Sequence, residues 1–383
     1  MQFAFSTANH IVFGPGCAEE FAKDFSHLGC RTFLLVGSDP SRFSHVVDPL
    51  TSASPCEVFR ITGEPTTDTA KAAILAARRA QSLAVIAIGG GSVIDVGKVV
   101  AVMLTNEGEL LDYLEVVGAG RHLRERPVHY CAIPTTAGTG AEVTRNAVLR
   151  VPEHRVKVSM RSPLLLPQAV RVDPLLTYSM PPALTASTGL DALTQLIEPF
   201  VSNKANPLTD GVCREGLRRA GRSLRRAFHD GSDAQAREDM SIASLFSGLA
   251  LANAGLGAVH GFAAPLGGEF PAPHGAVCAA LLPHVMAMNL RALKGRDPGN
   301  PALQRYREIS QILTGDSAAE GSAGAAWTGE LCDALRTPRL REYGLTPDHL
   351  PSLIEKASQA SSMKGNPVVL TQAELLEVLQ RAW

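Results

Sequence analysis

The chain has 383 residues, 45% hydrophobic and 19% charged, long enough for two domains and apolar enough to bury a sizeable core. Thirty-six Lys and Arg against 37 Asp and Glu leave a net charge of −1, so no global field draws the protein to nucleic acid or an anionic membrane. The composition excludes disorder, and seven scattered cysteines without a CxxC pair fit reduced thiols in a cytoplasmic protein.

The N-terminus, MQFAFSTANHIVFGPG, lacks the charged head and apolar stretch of a signal peptide. No apolar run reaches the roughly 18 residues of a membrane span. Neither secretion nor membrane insertion is expected. The first half then alternates short apolar strands, over Thr32–Val36, Leu83–Ile88, His129–Ile133 and Ala169–Val172, with amphipathic helices such as Thr69–Ala80. Continuous apolar strands alternating with helices predict parallel pairing in a doubly wound α/β unit. After Asp173-Pro174 the pattern becomes long and helical, with Pro181-Pro182 as a start signal. The join falls near residues 174–182, giving an α/β domain over 1–178 and an all-helical domain over 179–383. Gly295–Pro301 and Gly315–Ala326 read as surface loops.

Ile86-Ala87-Ile88-Gly89-Gly90-Gly91-Ser92 runs from an apolar strand through three glycines into a helix that continues past Asp95 to Lys98. Glycines permit positive φ and close backbone approach, and the helix start offers unpaired N–H groups at a positive dipole end. The pattern suits a pyrophosphate cradle, with Ser92 as an added donor, and equally describes a tight turn without a ligand. It is neither the spaced GxGxxG fingerprint nor a P-loop. A second turn, Pro134 to Glu142, carries Thr135, Thr136 and Thr139 after another strand. Two such loops at the carboxyl ends of strands in one sheet form the usual place for a nucleotide.

In the helical half, Asp191 and Gln195 are four apart on one helix face. Val259-His260-Gly261-Phe262 ends an apolar helix pattern, and His274 follows fourteen residues later. A carboxylate and two imidazoles from separated segments match the oxygen and nitrogen ligands of a divalent cation. Taken singly, each of these histidines reads more readily as a hydrogen-bonded core residue. His10, His27, His45, His122, His129, His154, His229 and His349 carry no such pattern, and His284 reads as packing. Arg214, Arg218, Arg219, Arg222, Arg225 and Arg226 recur at largely helical spacing, as on a solvated helix face.

GGGSVIDVGK (89–98), PTTAGTGAE (134–142), VDP (172–174), TASTGLDALTQLIE (185–198) and VHGFAAPLGGEFPAPHG (259–275) together resemble the iron-containing (group III) alcohol dehydrogenases of the dehydroquinate-synthase-like fold. The resemblance spans essentially the whole chain. It implies an N-terminal Rossmann-like nucleotide-binding domain and an all-α C-terminal domain with the active site between them. It implies that Gly90, Gly91, Ser92 and Asp95 hold the pyrophosphate of NAD, that Thr135, Thr136 and Thr139 line the cofactor groove, and that Lys157 lies near the ribose. Asp191, His260 and His274 match three of the four residues that bind Fe²⁺ or Zn²⁺ in relatives.

Two positions depart from the family. Gln195 stands where the fourth ligand is usually His, offering a neutral amide oxygen, a harder and weaker ligand than imidazole. Ala264 stands four residues after His260, where many members carry another His. The strand that reaches the adenosine ribose runs into Val36-Gly37-Ser38-Asp39-Pro40-Ser41-Arg42. Ser38 at the ribose with Arg42 nearby admits NADP; Asp39 there favours NAD, towards which the reading leans.

The resemblance implies hydride transfer between NAD(P) and a small alcohol or carbonyl substrate, with a divalent metal as Lewis acid, in a homodimer. Three alternatives are a metal-independent reductase of the maleylacetate type, a lyase of the dehydroquinate synthase class and a nucleotide-binding protein without catalysis.

Overall fold

The structure, a computed structural model, describes residues 2–26, 29–52 and 55–383, so His27 lies outside the described residues. It forms two compact units. One comprises Ser6–Thr136 and Gly140–Ser179. The other comprises Ala137–Thr139 and Met180–Trp383, with the segment ahead of Ser6.

The first unit contains strands β1 (His10–Phe13), β2 (Thr32–Val36), β3 (Cys56–Arg60), β4 (Ala84–Gly89), β5 (His129–Pro134) and, after a separate ribbon of β6 (Asn146–Val151) and β7 (Val156–Arg161), β8 (Ala169–Val172). Six of them make an all-parallel sheet in the order β1-β8-β5-β4-β2-β3. Between them run helices α1 (Cys17–Ser26), α2 (Ser44–Ser52), α3 (Thr67–Arg79) and α4 (Gly91–Met103). Leu34, Val36, Ile86, Ile88, Cys131 and Ile133 pack with Ala18, Ala22, Val46 and Leu50 of α1 and α2. On the opposite face Ala87 and Tyr130 meet α4 at Gly97. A sheet covered on both faces has no polar side, which is why β4 reads as an unbroken apolar run.

The four expected strands stand within a residue of their predicted bounds, and Thr66 caps α3 by accepting from the Thr69 N–H at 3.0 Å. Leu83 is 60% exposed and lies just outside β4. The structure adds the edge strands β1 and β3, whose burial is broken by exposed positions, and the antiparallel β6-β7 ribbon.

The second unit is helical: α5 (Pro182–Val201), α6 (Pro207–His229), α7 (Ala234–Ala254), α8 (Ala258–Glu269), α9 (His274–Arg296), α10 (Pro301–Thr314), α11 (Gly321–Ala334), α12 (Leu350–Gln359) and α13 (Gln372–Ala382). The start signal of α5 is as predicted, with Pro182 in its first turn. Helix α5 packs against α6, α7 and α9. An added Cβ at Gly189 or Gly216 would strike Leu224 or Leu196 at 2.2 and 2.5 Å, a measure of how closely α5 and α6 approach.

Three expectations are corrected. His260 does not end a helix: α7 stops at Ala254, Gly255 takes φ +71° and ψ −171°, and the chain turns by 101° into α8, with His260 in its first turn. Only glycine adopts that backbone readily. The supposed loop over Gly315–Ala326 is helical from Gly321, because Gly324 lies against α10 and its N–H donates to Ser310 Oγ at 2.8 Å. The basic face of α6 is not merely solvated. Asp239 of α7 is fully buried and accepts hydrogen bonds from Arg219, Arg222 and Ser223, while Arg214 pairs with Glu308 and Arg226 with Asp233. A buried carboxylate requires such partners.

Helix α9 is long and apolar enough to cross a membrane by length and composition, but 72% of its apolar window is buried inside the protein. Its apolarity is that of a core helix.

Candidate functional site

Asp191, Gln195 and Glu198 fall at spacings of four and three on α5, so they share one face. All three are buried. Helix α8 brings His260 to this face from its first turn, and α9 brings His274 as its first residue. His260 Nε2 lies 3.4 Å and His274 Nε2 3.7 Å from Asp191 Oδ1. That oxygen and Gln195 Oε1 are buried without a hydrogen-bond partner. An orphaned buried oxygen between two imidazole nitrogens is costly unless something positive joins them.

Two further residues belong to the cluster and have no counterpart in the sequence reading. Cys278, one turn after His274, places Sγ 3.7 Å from His260 Nε2 and 3.8 Å from His274 Nε2. Glu198 Oε2 sits 2.6 Å from His260 Nδ1, and its Oε1 accepts from the Val259 N–H at 2.7 Å. A carboxylate at Nδ1 fixes that nitrogen as the protonated one and turns the Nε2 lone pair towards Asp191. Both were legible only as spacing: Glu198 is seven residues after Asp191, and Cys278 four after His274.

The electrostatics favour positive charge. Burial lowers the His260 imidazole pKa, but Cys278, Glu198 and Asp191 outweigh burial and hold it well above its ordinary value. Burial raises the Asp191 carboxyl, and the two imidazoles with the Gln195 amide reverse that to a net lowering. Glu198→Ala, which frees the His260 ring, is expected to weaken divalent-metal affinity about ten- to hundredfold. Competition against a chromophoric chelator measures it, and unchanged affinity would remove Glu198 from this role. Ala264, one turn after His260, presents only a methyl group.

In the α/β unit the glycine loop follows β4 as expected, and of the two uses of glycine only close approach applies. None of Gly89, Gly90 and Gly91 adopts positive φ. What the loop needs is room: a Cβ at Gly89 would lie 2.4 Å from Val93 Cγ2, and one at Gly90 3.3 Å from Thr136. No side chain caps α4 at Gly90. The first-turn N–H groups of Gly91 and Ser92 therefore have no intrahelical partner at the positive end of the helix. Gly89 pairs in register with Pro134, and the Thr135 N–H donates to Gly89 O at 3.0 Å, so the two loops leave the sheet side by side.

Thr135 is buried and Thr136 half-buried beside Gly90, whereas Thr139 falls in the short segment grouped with the helical unit. Asp95 turns inward: Oδ2 accepts from the Val148 N–H at 2.9 Å and Oδ1 from the fully buried Lys98 at 3.3 Å, tying α4 to β6. Lys157 on β7 pairs with Glu64 at 2.6 Å. Ser38 and Asp39 are exposed just past β2, with Asp39 accepting from the Ser41 hydroxyl. Arg42 donates to the Ser179 carbonyl and hydroxyl.

Residues 8–174 match the family model described as iron-containing alcohol dehydrogenase, and residues 185–383 that of the Fe-containing alcohol dehydrogenase family, C-terminal. Long-chain-alcohol dehydrogenase 1 of Geobacillus thermodenitrificans is 34% identical, over 100% of this chain and 96% of its own length. The 1,3-propanediol dehydrogenase of Klebsiella pneumoniae is 38% identical over 80% of this chain and 77% of its own. A crystal structure of 1,3-propanediol oxidoreductase superposes with a TM-score of 0.90 at 32% identity, covering both chains fully.

Proposed function

Because the chain belongs to the iron-containing alcohol dehydrogenase family, and is thus an oxidoreductase acting on a CH–OH group, we propose that it interconverts a small alcohol and its aldehyde or ketone with NAD and a divalent cation. The observation that carries the metal part is Asp191 Oδ1, buried and unpartnered beside the Nε2 atoms of His260 and His274. One carboxylate with two imidazoles is a donor set that Fe²⁺ and Zn²⁺ both accept. When bound, such a cation supplies Lewis acidity towards a substrate oxygen. NAD, when bound, supplies the carbon that exchanges hydride.

The protein's own groups have distinct tasks. Glu198 keeps the His260 Nδ1 proton and with it the ring orientation. The Gln195 amide beside Asp191 favours the ionised form of the carboxyl. Gly90, Gly91 and Ser92 offer N–H groups and a hydroxyl to the pyrophosphate, beside Thr135 and Thr136, with Thr139 and Lys157 as further cofactor contacts. Asp95 holds the cradle's helix in place through Val148 and Lys98. The methyl group of Ala264 transfers no proton, so exchange with the substrate oxygen bypasses that position. The alcohol and propanediol dehydrogenases among the relatives favour this reading over a metal-independent reductase.

NADH turnover over a panel of aldehydes and ketones, run with metal analysis, tests the proposal. Full activity after exhaustive chelation would remove the metal, and NADH binding without turnover by metal-loaded protein would remove the reaction. Asp39 supports NAD over NADP, because an exposed carboxylate past β2 repels a 2′-phosphate and Arg42 is engaged by Ser179. NADH is expected to bind at least about tenfold more tightly than NADPH, equivalent to ~1.4 kcal/mol. Fluorescence titration with both cofactors measures this, and equal affinities would overturn it. A homodimer belongs to the same family-based reading, and sedimentation of the purified enzyme tests the dimer.

A further inference from the structure

We propose that Cys278 is itself a ligand of the cation site, its thiolate joining Asp191, His260 and His274 in a four-donor cage that takes zinc in preference to iron. This rests on the metal reading above and adds to it a ligand that the family resemblance does not supply. Four donor atoms, Asp191 Oδ1, His260 Nε2, His274 Nε2 and Cys278 Sγ, all lie within 4.8 Å of one another. The carboxylate oxygen lies 3.4 and 3.7 Å from the two nitrogens, and the sulfur 3.7 and 3.8 Å from the same nitrogens. A tetrahedron built on metal–ligand bonds of about 2.0–2.3 Å has edges of roughly 3.3–3.7 Å. Four of the six edges therefore already have nearly the length that a four-coordinate ion requires, and the other two lie within 4.8 Å.

Two independent observations point inward to a ligand. Asp191 is 2% exposed and its Oδ1 has no hydrogen-bond partner; Gln195 is 2% exposed and its Oε1 has none either. Cys278 is fully buried on the first turns of α9, with both imidazole nitrogens in reach of its sulfur. Other buried thiols serve the fold differently: Cys332 donates to Ala279 O, the carbonyl whose intrahelical partner is removed by Pro283.

The chemistry follows from the donor types. Gln195 replaces a usual imidazole by a hard neutral oxygen, which lowers affinity for iron and zinc, whereas a thiolate is a soft anionic donor that favours zinc. With Asp191 and Cys278 both anionic, a divalent ion would be left with zero net charge rather than one positive charge, and a substrate oxygen would join it as a fifth ligand, an expansion zinc accepts. On binding, the sulfur–hydrogen bond breaks, a metal–sulfur bond forms and the proton leaves to solvent, with no change of oxidation state.

Cobalt(II) substitution of the full chain tests the proposal by a readout other than activity. Cobalt-loaded wild type should show a near-ultraviolet sulfur-to-cobalt charge-transfer band beside its visible ligand-field bands. Cys278→Ala and Cys278→Ser should keep visible bands and lose the charge-transfer band. In anaerobic competition between equimolar Zn²⁺ and Fe²⁺, zinc selectivity should fall by about tenfold in Cys278→Ala. Visible cobalt bands in wild type without a charge-transfer band would overturn Cys278 as a ligand while leaving the metal site standing. No cobalt bound by wild type that still binds NADH would overturn both. If neither variant folds, the wild-type spectrum and metal protection of Cys278 against alkylation decide the matter by themselves.

Discussion

Asp191→Ala is expected to lower kcat by at least about 10²–10³-fold, the scale of losing one preorganised electrostatic group at the reacting centre, and to leave the purified protein without stoichiometric metal. Asp191 Oδ1 has no hydrogen-bond partner, yet it lies 3.4 and 3.7 Å from the two imidazole Nε2 atoms. Removing it takes away the anionic oxygen that would draw a cation between the two rings. It leaves His260 held by Glu198, so the loss is of charge rather than of ring orientation. The variant should also lose the rise in melting temperature that added Zn²⁺ or Fe²⁺ produces in the wild type, since a ligand stabilises only the state that binds it. NADH binding should persist, because the glycine loop belongs to a different compact unit. Metal content and turnover measured on the same preparation separate the outcomes: wild-type activity without metal would end the Lewis-acid reading.

The legible and illegible parts of this protein divide along physical lines. Strands buried on both faces appear as unbroken apolar runs, so β2, β4, β5 and β8 could be read almost to the residue. Edge strand β3 has exposed positions on both faces, and its CEVFR carries no such run. The three glycines mark a close-packed turn from strand to helix, but composition cannot distinguish the two uses of glycine. Backbone angles rule out the left-handed use, and the near collision with Val93 shows that space is the reason. For the cluster around Asp191, motif resemblance located Asp191, His260 and His274. It did not locate Cys278, because four-residue spacing from a histidine is common and its meaning depends on what the facing helices present. Glu198 was hidden inside a quoted motif for the same reason. The 101° turn before His260 was also unreadable, since an apolar Ala/Gly sequence continues through it and only the backbone of Gly255 marks the break.

The glycine after His274 should prove as sensitive as the ligands themselves. Gly275 is the second residue of α9, and a Cβ there would lie 2.1 Å from the backbone oxygen of Ser187 on α5, 2.7 Å from its carbonyl carbon and 2.8 Å from its Oγ. A backbone carbonyl inside a helix cannot rotate away as a side chain can, so Gly275→Ala must push α9 off α5. Overpacking of this kind costs about 1–3 kcal/mol. The displacement falls on the residues that matter most, because His274 precedes Gly275 and Cys278 follows one turn later, while Asp191 lies one turn beyond Ser187 on α5. A misplacement of about 1 Å at a reacting centre costs on the order of 10²-fold in rate. Gly275→Ala is therefore expected to lose most of its bound metal and about two decades of kcat, with a lower melting temperature. Gly295→Ala supplies the control on the same helix, for a Cβ there meets nothing within 4 Å. It should melt within about 0.5 kcal/mol of wild type and keep full metal content. If both variants behave alike, the close approach of α9 to α5 is not what sets the cation site; if only Gly275→Ala fails, the site depends on a hydrogen atom's width of clearance between two helices.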